Sequence, residues 1–315
     1  MNWKKLWGML KQTAVDWADS HTFDLGAALA YYGAFAIAPI LVIALAIAGL
    51  LFGEEFASTE LFARLQETAG PAVANAVAQS LQYSKTSGQG WLATAISMLI
   101  LILGSLGLFT QLQTALNTIW QVKPKPGRGI WGAVKDRFLS FLLVLNVGAL
   151  LVAALVVNAA LSAVSGFFPE FHLPGGAFLW EALRWLVSMS LLTLLFATVY
   201  KILPDVKIGW RDVWVGAATT AVLFTIGNYL IGLYLGRSSV ASTYGAAGSL
   251  VIILLWVYYS SQILLFGAEF TRVYAAKYGH PIGPSDNAIP MTADDCARRD
   301  IPSRRDPSMS APRGS

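Results

Sequence analysis

The chain alternates between long stretches without any charged residue and shorter stretches that hold the lysines, arginines and carboxylates. A helix needs about 20 apolar residues to cross a bilayer, and five of the six charge-free stretches have this length. The other resumes N-terminally from Trp180 across Glu181 and Arg184. Apolar residues occupy both faces, whereas a membrane barrel shows alternating segments of about 10 residues. The pattern predicts an all-α integral membrane protein with six transmembrane helices, at roughly 25–51, 92–119, 137–165, 182–203, 211–235 and 247–270.

Composition favours a membrane protein over a soluble one. Hydrophobic residues make up 56% of the 315 residues and charged residues 13%, against about 45–50% and about 25% in soluble domains. So little charge cannot cover a globule of this size in water, which argues against a soluble two-domain enzyme. The single cysteine, Cys296, cannot form an intrachain disulfide, and no metal-ligand spacing is present. The sequence predicts no enzyme activity, no cofactor and no metal site.

The distribution of Lys and Arg indicates the orientation, because cytoplasmic loops carry an excess of these residues. With the N-terminus inside, only Arg64, Lys85, Arg184 and Arg237 fall outside, so 18 of the 22 Lys and Arg residues are cytoplasmic. The pattern therefore predicts that both termini lie in the cytoplasm. The net charge of +4 then reflects contact with anionic lipid headgroups, and no nucleic-acid partner is predicted.

Three segments lie outside the six predicted spans, and the predicted six-helix membrane domain that contains these spans covers 21–278. Residues 1–20 place apolar side chains at helical spacing with the lysines off that face, which indicates an interfacial amphipathic helix; a helix packed under the bundle is the alternative. Residues 54–85, broken by Gly70-Pro71, predict two short helices on the outer face. Residues 279–315 carry six prolines and no periodicity, which predicts a disordered cytoplasmic tail.

Polar residues are unfavourable inside a bilayer, so those in the first two predicted spans are expected to have a structural or functional role. Pro39 lies near the middle of the first span, where it leaves a backbone carbonyl unbonded; a packing kink and a bent helix beside a cavity are both open. Tyr31 and Tyr32 lie in its cytoplasmic half. A strip of small residues predicts close helix contact: Gly26, Ala30 and Gly33. A polar stripe on the second span lines either a helix contact or a hydrated path: Thr110, Gln113, Thr114 and Asn117.

The sixth span carries a polar face of its own. Tyr258, Gln262 and Glu269 share this face at i, i+4 and i+11, and Arg272 follows Glu269 by three residues. An ion pair with Arg272 and a proton- or cation-binding site are both open for Glu269. In the fifth span, Asn228 can bridge two helices.

The segment before the sixth span is rich in glycine and serine. Residues 236–249, which include Tyr244, form either an ordinary loop or a re-entrant element that packs into the bundle. The residues expected to line a cavity or translocation path are Tyr31, Tyr32, Pro39, Thr110, Gln113, Asn117, Asn228, Tyr244, Tyr258, Gln262 and Glu269.

Three segments resemble the YihY / virulence factor BrkB family of inner-membrane proteins: ALAYYGAFAIAPIL (28–41), TALNTIW (114–120) and STYGAAGSLVIILLWVYYSSQILLFGAEF (242–270). The resemblance extends from about residue 20 to about 278. It implies six helices in one membrane domain of the bacterial inner membrane, and it implies no settled activity. Members of this family were once labelled ribonuclease BN, but the sequence lacks the clustered carboxylates or histidines that such hydrolysis needs.

Two function classes are open. The first is a transporter, exporter or lipid-translocating protein of unknown substrate, driven by a gradient or passive because no ATP-binding P-loop motif occurs in the sequence. The second is a non-transporting membrane scaffold or envelope-integrity factor. The partners expected are the lipid bilayer and its anionic headgroups, and the sequence also allows a homo-oligomer.

Overall fold

The computed structural model describes residues 3–36, 53, 58–59, 62–63, 65–66, 70–75, 77–78, 107–126, 149, 153, 156–157, 176–237, 248–279 and 282–303. The greater part of the span predicted at 137–165 lies outside these residues. So do much of the span predicted at 25–51 and the first half of the span predicted at 92–119.

The described chain is mostly helical, with two small antiparallel ladders. The helices are α1 (Trp3–Asp19), α2 (22–36), α3 (71–75), α4 (107–119), α5 (Gly176–Ile202), α6 (Trp210–Arg237), α7 (Gly248–Tyr278) and α8 (Ala293–Arg298). The strands are β1 (Val122–Pro124), β2 (Val206–Lys207), β3 (Gly283–Pro284) and β4 (Ala288–Pro290). Strand β1 pairs with β4, and β2 pairs with β3.

Three of the described helices are long and apolar enough to cross a membrane: α5 from Glu181, α6 and α7. They correspond to the spans predicted at 182–203, 211–235 and 247–270. Each exposes large apolar side chains, such as Leu186, Ile226 and Leu250, as helices do when their outer surface faces lipid. Helix α7 continues to Tyr278, beyond the predicted end of its span, because its last turns pack on α1.

Small residues let these helices approach closely. A methyl group at Gly216 of α6 would lie 1.8 Å from Thr271 Oγ1 of α7, and one at Gly267 would lie 1.9 Å from Thr220 Oγ1. Helix α2 meets α7 in the same way, because a methyl group at Gly33 would lie 2.6 Å from Val257. The small-residue strip predicted on the first span is therefore confirmed as a packing surface.

Helix α3 packs against the opposite end of the bundle from α1. Gly70, with φ of +89°, precedes it, so the break predicted at Gly70-Pro71 is present. Val73 and Val77 are buried against Leu235 and a pair of isoleucines at the start of α7. This contact joins the end of α6 to the start of α7.

Helix α1 is present as predicted and packs on α7. Met9 is buried against Phe270 and Val273, and Thr13 is buried one turn later. This face of α1 therefore packs on the bundle, which is the alternative that the sequence left open. Trp7, on a neighbouring face, is exposed, and its contact with the bilayer surface stays a prediction.

The prediction of a disordered tail over 279–315 is wrong for residues 282–303, here named the C-terminal strap. The strap contains β3, β4 and α8, and its partners β1 and β2 lie far away in the sequence, so local periodicity could not show them. Thr292 caps α8 in a capping box with Asp295, a local signal that the sequence did contain. Residues 304–315 lie outside the described residues.

Candidate functional site

The polar face of α7 lies against the first two helices. An added Cβ at Gly26 would be 2.1 Å from Gln262 Nε2 and 3.6 Å from the Tyr258 ring, so both side chains contact α2. Gln262 Nε2 also donates to the carbonyl oxygen of Thr22, 3.2 Å away. About two turns further along, Glu269 faces the elbow between α1 and α2. The three side chains therefore share one face of α7, as their spacing predicts.

Glu269 is fully buried and bonded on both oxygens. Ser20 Oγ lies 2.7 Å from Oε1, and Arg272 Nε donates to Oε2 at 2.8 Å. The Arg272 guanidinium also pairs with Asp16 of α1. The ion pair between Glu269 and Arg272, one of the two open interpretations, is therefore present.

Arg272 is shared by two carboxylates of this cluster. Its guanidinium donates to Glu269 and pairs with Asp16. The side chains of Asp16 and Arg272 are each only 17% exposed. Burial raises the cost of a charge that loses a partner, so a change at Arg272 affects both carboxylates at once.

Several polar atoms in the bundle are buried and find no hydrogen-bond partner in the described part of the chain. On α7 they are Gln262 Oε1, Ser260 Oγ and Trp256 Nε1; elsewhere they are Asn228 Oδ1 on α6 and the indole nitrogens of Trp17 and Trp120. Leaving such an atom unbonded costs about 1–3 kcal/mol, and most buried polar atoms in proteins are bonded. Their concentration on one helix therefore asks for a functional reason.

Trp17 connects this set to the Glu269 cluster. Its ring lies 6.1 Å from that of Phe266, which follows Gln262 by four residues and precedes Glu269 by three. The indole of Trp17 therefore lies beside α7 between the levels of these two side chains. Trp17 Nε1 is an unbonded donor where α1 meets α7, and Gln262 Oε1 is an unbonded acceptor where α2 meets α7.

Asn117 has a structural partner instead. Its Nδ2 donates to Asp205 Oδ2 at 2.9 Å, and its Oδ1 accepts from the backbone nitrogen of Asp205 at 2.8 Å. Both ends of the amide are thus bonded to the connection between α5 and α6. The helix-contact alternative for the polar stripe therefore describes Asn117.

The remaining members of the predicted path are placed differently. Thr110 and Thr114 are exposed, and Thr114 donates to the carbonyl of Thr110 within its own helix; Gln113 is half-buried. Tyr31 is exposed on α2, whereas the Tyr32 ring packs where a Cβ at Gly107 would lie. Pro39 and Tyr244 lie outside the described residues, so the kink and the re-entrant element stay predictions.

Sequence reasoning missed the contribution of the first helix to this site. Asp16 lies in the last turn of α1 and Ser20 directly follows this helix, and they reach Arg272 and Glu269 respectively. A signal was present, since both are polar residues on the side of α1 next to its apolar stripe. Nothing in the local pattern told which distant helix they would meet.

A family model described as Virulence factor BrkB matches residues 14–289. A UPF0761 membrane protein of Pseudomonas aeruginosa strain LESB58 is 29% identical over 250 residues, which is 77% of this chain and 56% of the relative. One of Rhodospirillum centenum is 26% identical over 272 residues, covering 84% and 56%. One of Stenotrophomonas maltophilia strain K279a is 28% identical over 269 residues, covering 84% and 60%.

The chain thus spans less than two thirds of the length of these relatives. No solved structure matches it. The names of these relatives describe membrane proteins and indicate no activity.

Proposed function

The chain belongs to the virulence factor BrkB family, and we propose that this membrane protein is a transporter, exporter or lipid-translocating protein. In this proposal it crosses the bacterial inner membrane six times, with both termini in the cytoplasm. The three described spans and the excess of Lys and Arg on the predicted cytoplasmic side support the topology. The elbow between α1 and α2 contacts the last described segment, since His21 lies 2.8 Å from the carbonyl oxygen of Asp300, and this supports termini on one side.

The observation that carries the proposal is the set of unbonded polar atoms on α7, where Gln262 lies on a different side of the helix from Ser260 and Trp256. Gln262, Ser260 and Trp256 fall within about one and a half turns near the middle of this helix, and each has a buried polar atom without a partner among the described residues. In lipid such atoms cannot obtain bonds from solvent. A protein that only has to pack would gain stability from apolar residues there. We therefore assign these side chains to contact with water or a polar substrate.

The placement of the charged and the unbonded groups suits a carrier that uses a gradient. The Glu269 cluster lies at the end of the bundle where α1 packs on α7, and the unbonded atoms of α7 lie nearer the middle of this helix. Broken or polar helices around a central site are common in transporters. The sequence contains no P-loop motif, so the proposal includes no ATP hydrolysis by this chain.

The first experiment reconstitutes the purified protein in liposomes and follows two probes. A fluorescent phosphatidylethanolamine with a membrane-impermeant quencher reports lipid translocation, and an enclosed pH-sensitive dye reports proton movement. We expect one of the two signals to exceed that of empty liposomes and to fall in Gln262→Leu and Ser260→Ala. Ser190→Ala is the matched control, because its hydroxyl is exposed and bonded within its own helix.

If neither signal falls in the two variants, the assignment of these side chains to contact with water or substrate is contradicted. Absence of both signals in the unmodified protein, together with a dry α7, would leave the scaffold or envelope-integrity function as the better account.

A further inference from the structure

The C-terminal strap contacts three connections that are far apart in the chain. Through β4 it pairs with β1, which follows α4, and through β3 it pairs with β2, which lies between α5 and α6. At its end, the carbonyl oxygen of Asp300 lies 2.8 Å from His21 Nε2 in the α1–α2 elbow. One segment thus ties the ends of α2, α4, α5 and α6 together.

Side chains reinforce each of these contacts. Lys123 pairs with Asp295 at 2.5 Å, and Lys207 pairs with Asp286 at 2.5 Å. The ammonium of Lys123 holds the pKa of the Asp295 carboxyl well below its usual range. Two further hydrogen bonds are Arg299 to Thr118 at 2.9 Å and Gln121 Nε2 to the carbonyl of Pro302 at 2.7 Å.

The backbone is strained at these contacts. Among the described residues, the non-glycine residues with positive φ are His21 at 51°, Gln121 at 51° and Asp300 at 54°. All three belong to strap contacts: His21 meets Asp300, and the carbonyl of Gln121 accepts from the backbone nitrogen of Met291 at 2.8 Å. Left-handed conformations are unfavourable for such residues and persist where surrounding contacts hold them.

The contacts that hold the strap are of the kind that can separate. Water reaches most of the ion pairs, since the side chain of Asp286 is 86% exposed and that of Asp300 is 97% exposed. Exposed pairs are weak and are screened by salt. The apolar anchors are few, and they are small relative to a helix interface: Ile282, Ala288, Cys296 and Ile301.

We propose that the C-terminal strap is a detachable closure that locks one end of the bundle when docked and frees its connections when released. Docked, it prevents the ends of α2, α4, α5 and α6 from moving apart. Released, it removes the contacts that hold His21 and Gln121 in strained conformations. As a gate on transport it rests on the proposed function, but docking and release of the strap do not depend on that function.

Cys296 is a built-in probe of release, because it is the one cysteine of the chain and its side chain, which belongs to the strap, is buried when the strap is docked. The rate of its reaction with a membrane-impermeant maleimide is measured on the full chain in lipid nanodiscs, where both faces are accessible. Ser303→Cys in a Cys296→Ser background gives the rate of a fully exposed thiol.

We expect Cys296 to react slowly in the unmodified chain and about threefold to tenfold faster in Asp295→Asn, which loses the Lys123 pair. Raising the salt concentration should also speed the labelling of Cys296. Asp294→Asn is the control, since it removes the same charge from a neighbouring exposed position. Lys123→Met removes the same pair but leaves the capping box of α8 intact, and it should speed labelling by a similar factor.

Two outcomes would overturn the proposal. Labelling of unmodified Cys296 at the rate of the Ser303→Cys control would show that no docked strap exists. A rate that changes neither with Asp295→Asn nor with salt, while helical content is constant, would show that the strap is a permanent part of the fold. The salt series needs no variant, so the test survives any failure of Asp295→Asn to fold.

Discussion

Removal of Arg272 should destabilise the protein more than removal of either carboxylate that it binds. In Arg272→Gln, Glu269, which is fully buried, and Asp16 lose their shared partner. Breaking a buried pair in this way typically costs about 3–5 kcal/mol. In Glu269→Gln, Arg272 keeps Asp16, and the new amide can still accept from Ser20. The loss there is one hydrogen bond to a charged group, about 1.5–3 kcal/mol.

The free energy of unfolding is measured in mixed micelles by titration with a denaturing detergent, with tryptophan fluorescence as the signal. The order expected is Arg272→Gln as the least stable, then Glu269→Gln, then the unmodified protein. A Glu269→Gln variant that is less stable than Arg272→Gln would refute the role of Arg272 as the partner shared by both carboxylates. The same Glu269→Gln variant in the liposome assay tests the other interpretation, because unchanged flux would rule out a protonation role for Glu269.

Three further predictions concern packing, a loop and pH. Gly216→Ala should lower the free energy of unfolding by about 1–3 kcal/mol, because the added methyl group overpacks against Thr271. Gly236→Ala should not lower it, because an added Cβ there meets nothing within 4 Å. Asn117→Ala should cost about 1–3 kcal/mol in the same titration, because it leaves the Asp205 backbone nitrogen without its acceptor. The hydrogen bond to Asp24 and the carbonyl of Asp300 raise the pKa of His21 above its ordinary value of 6.5. Strap docking should therefore be strongest below the ordinary pKa of His21 and should weaken as pH rises through the raised pKa. The rate of Cys296 labelling, corrected for the intrinsic reactivity of the exposed thiol, should rise with pH in the unmodified chain. It should rise much less in His21→Gln.

Charge patterning was sufficient to predict the three described spans, because an apolar run of this length has few alternatives to a helix in lipid. The Gly70-Pro71 break and the small-residue strip were predictable for a similar reason, since each acts within a few residues of chain. The ion pair of Glu269 with Arg272 follows from i,i+3 spacing on one helix.

The contacts between distant segments could not be predicted from the sequence pattern. Ser20 and Glu269 are separated by 249 residues, and no periodicity encodes which helix faces which. The C-terminal strap was misread because its strands are two or three residues long, too short to show alternation. Its prolines and charges suggested disorder, although they are compatible with short ladders and a capped turn of helix. Asn117 was assigned to a path because its partner Asp205 lies in a connection that the pattern could not place.

The central claim, that α7 lines a hydrated path, can be tested without knowing the substrate. Single cysteines are introduced at Ser260, Gln262 and Leu255 in a Cys296→Ser background, and their reaction with a small water-soluble thiosulfonate is timed in membranes. Leu255 lies on an exposed, lipid-facing position of the same helix, where a thiol surrounded by hydrocarbon cannot form the reactive thiolate. We predict reaction at Ser260→Cys and Gln262→Cys at least about tenfold faster than at Leu255→Cys. Equal, slow reaction at all three positions would mean that α7 is dry at both Ser260 and Gln262, and it would contradict the proposed function.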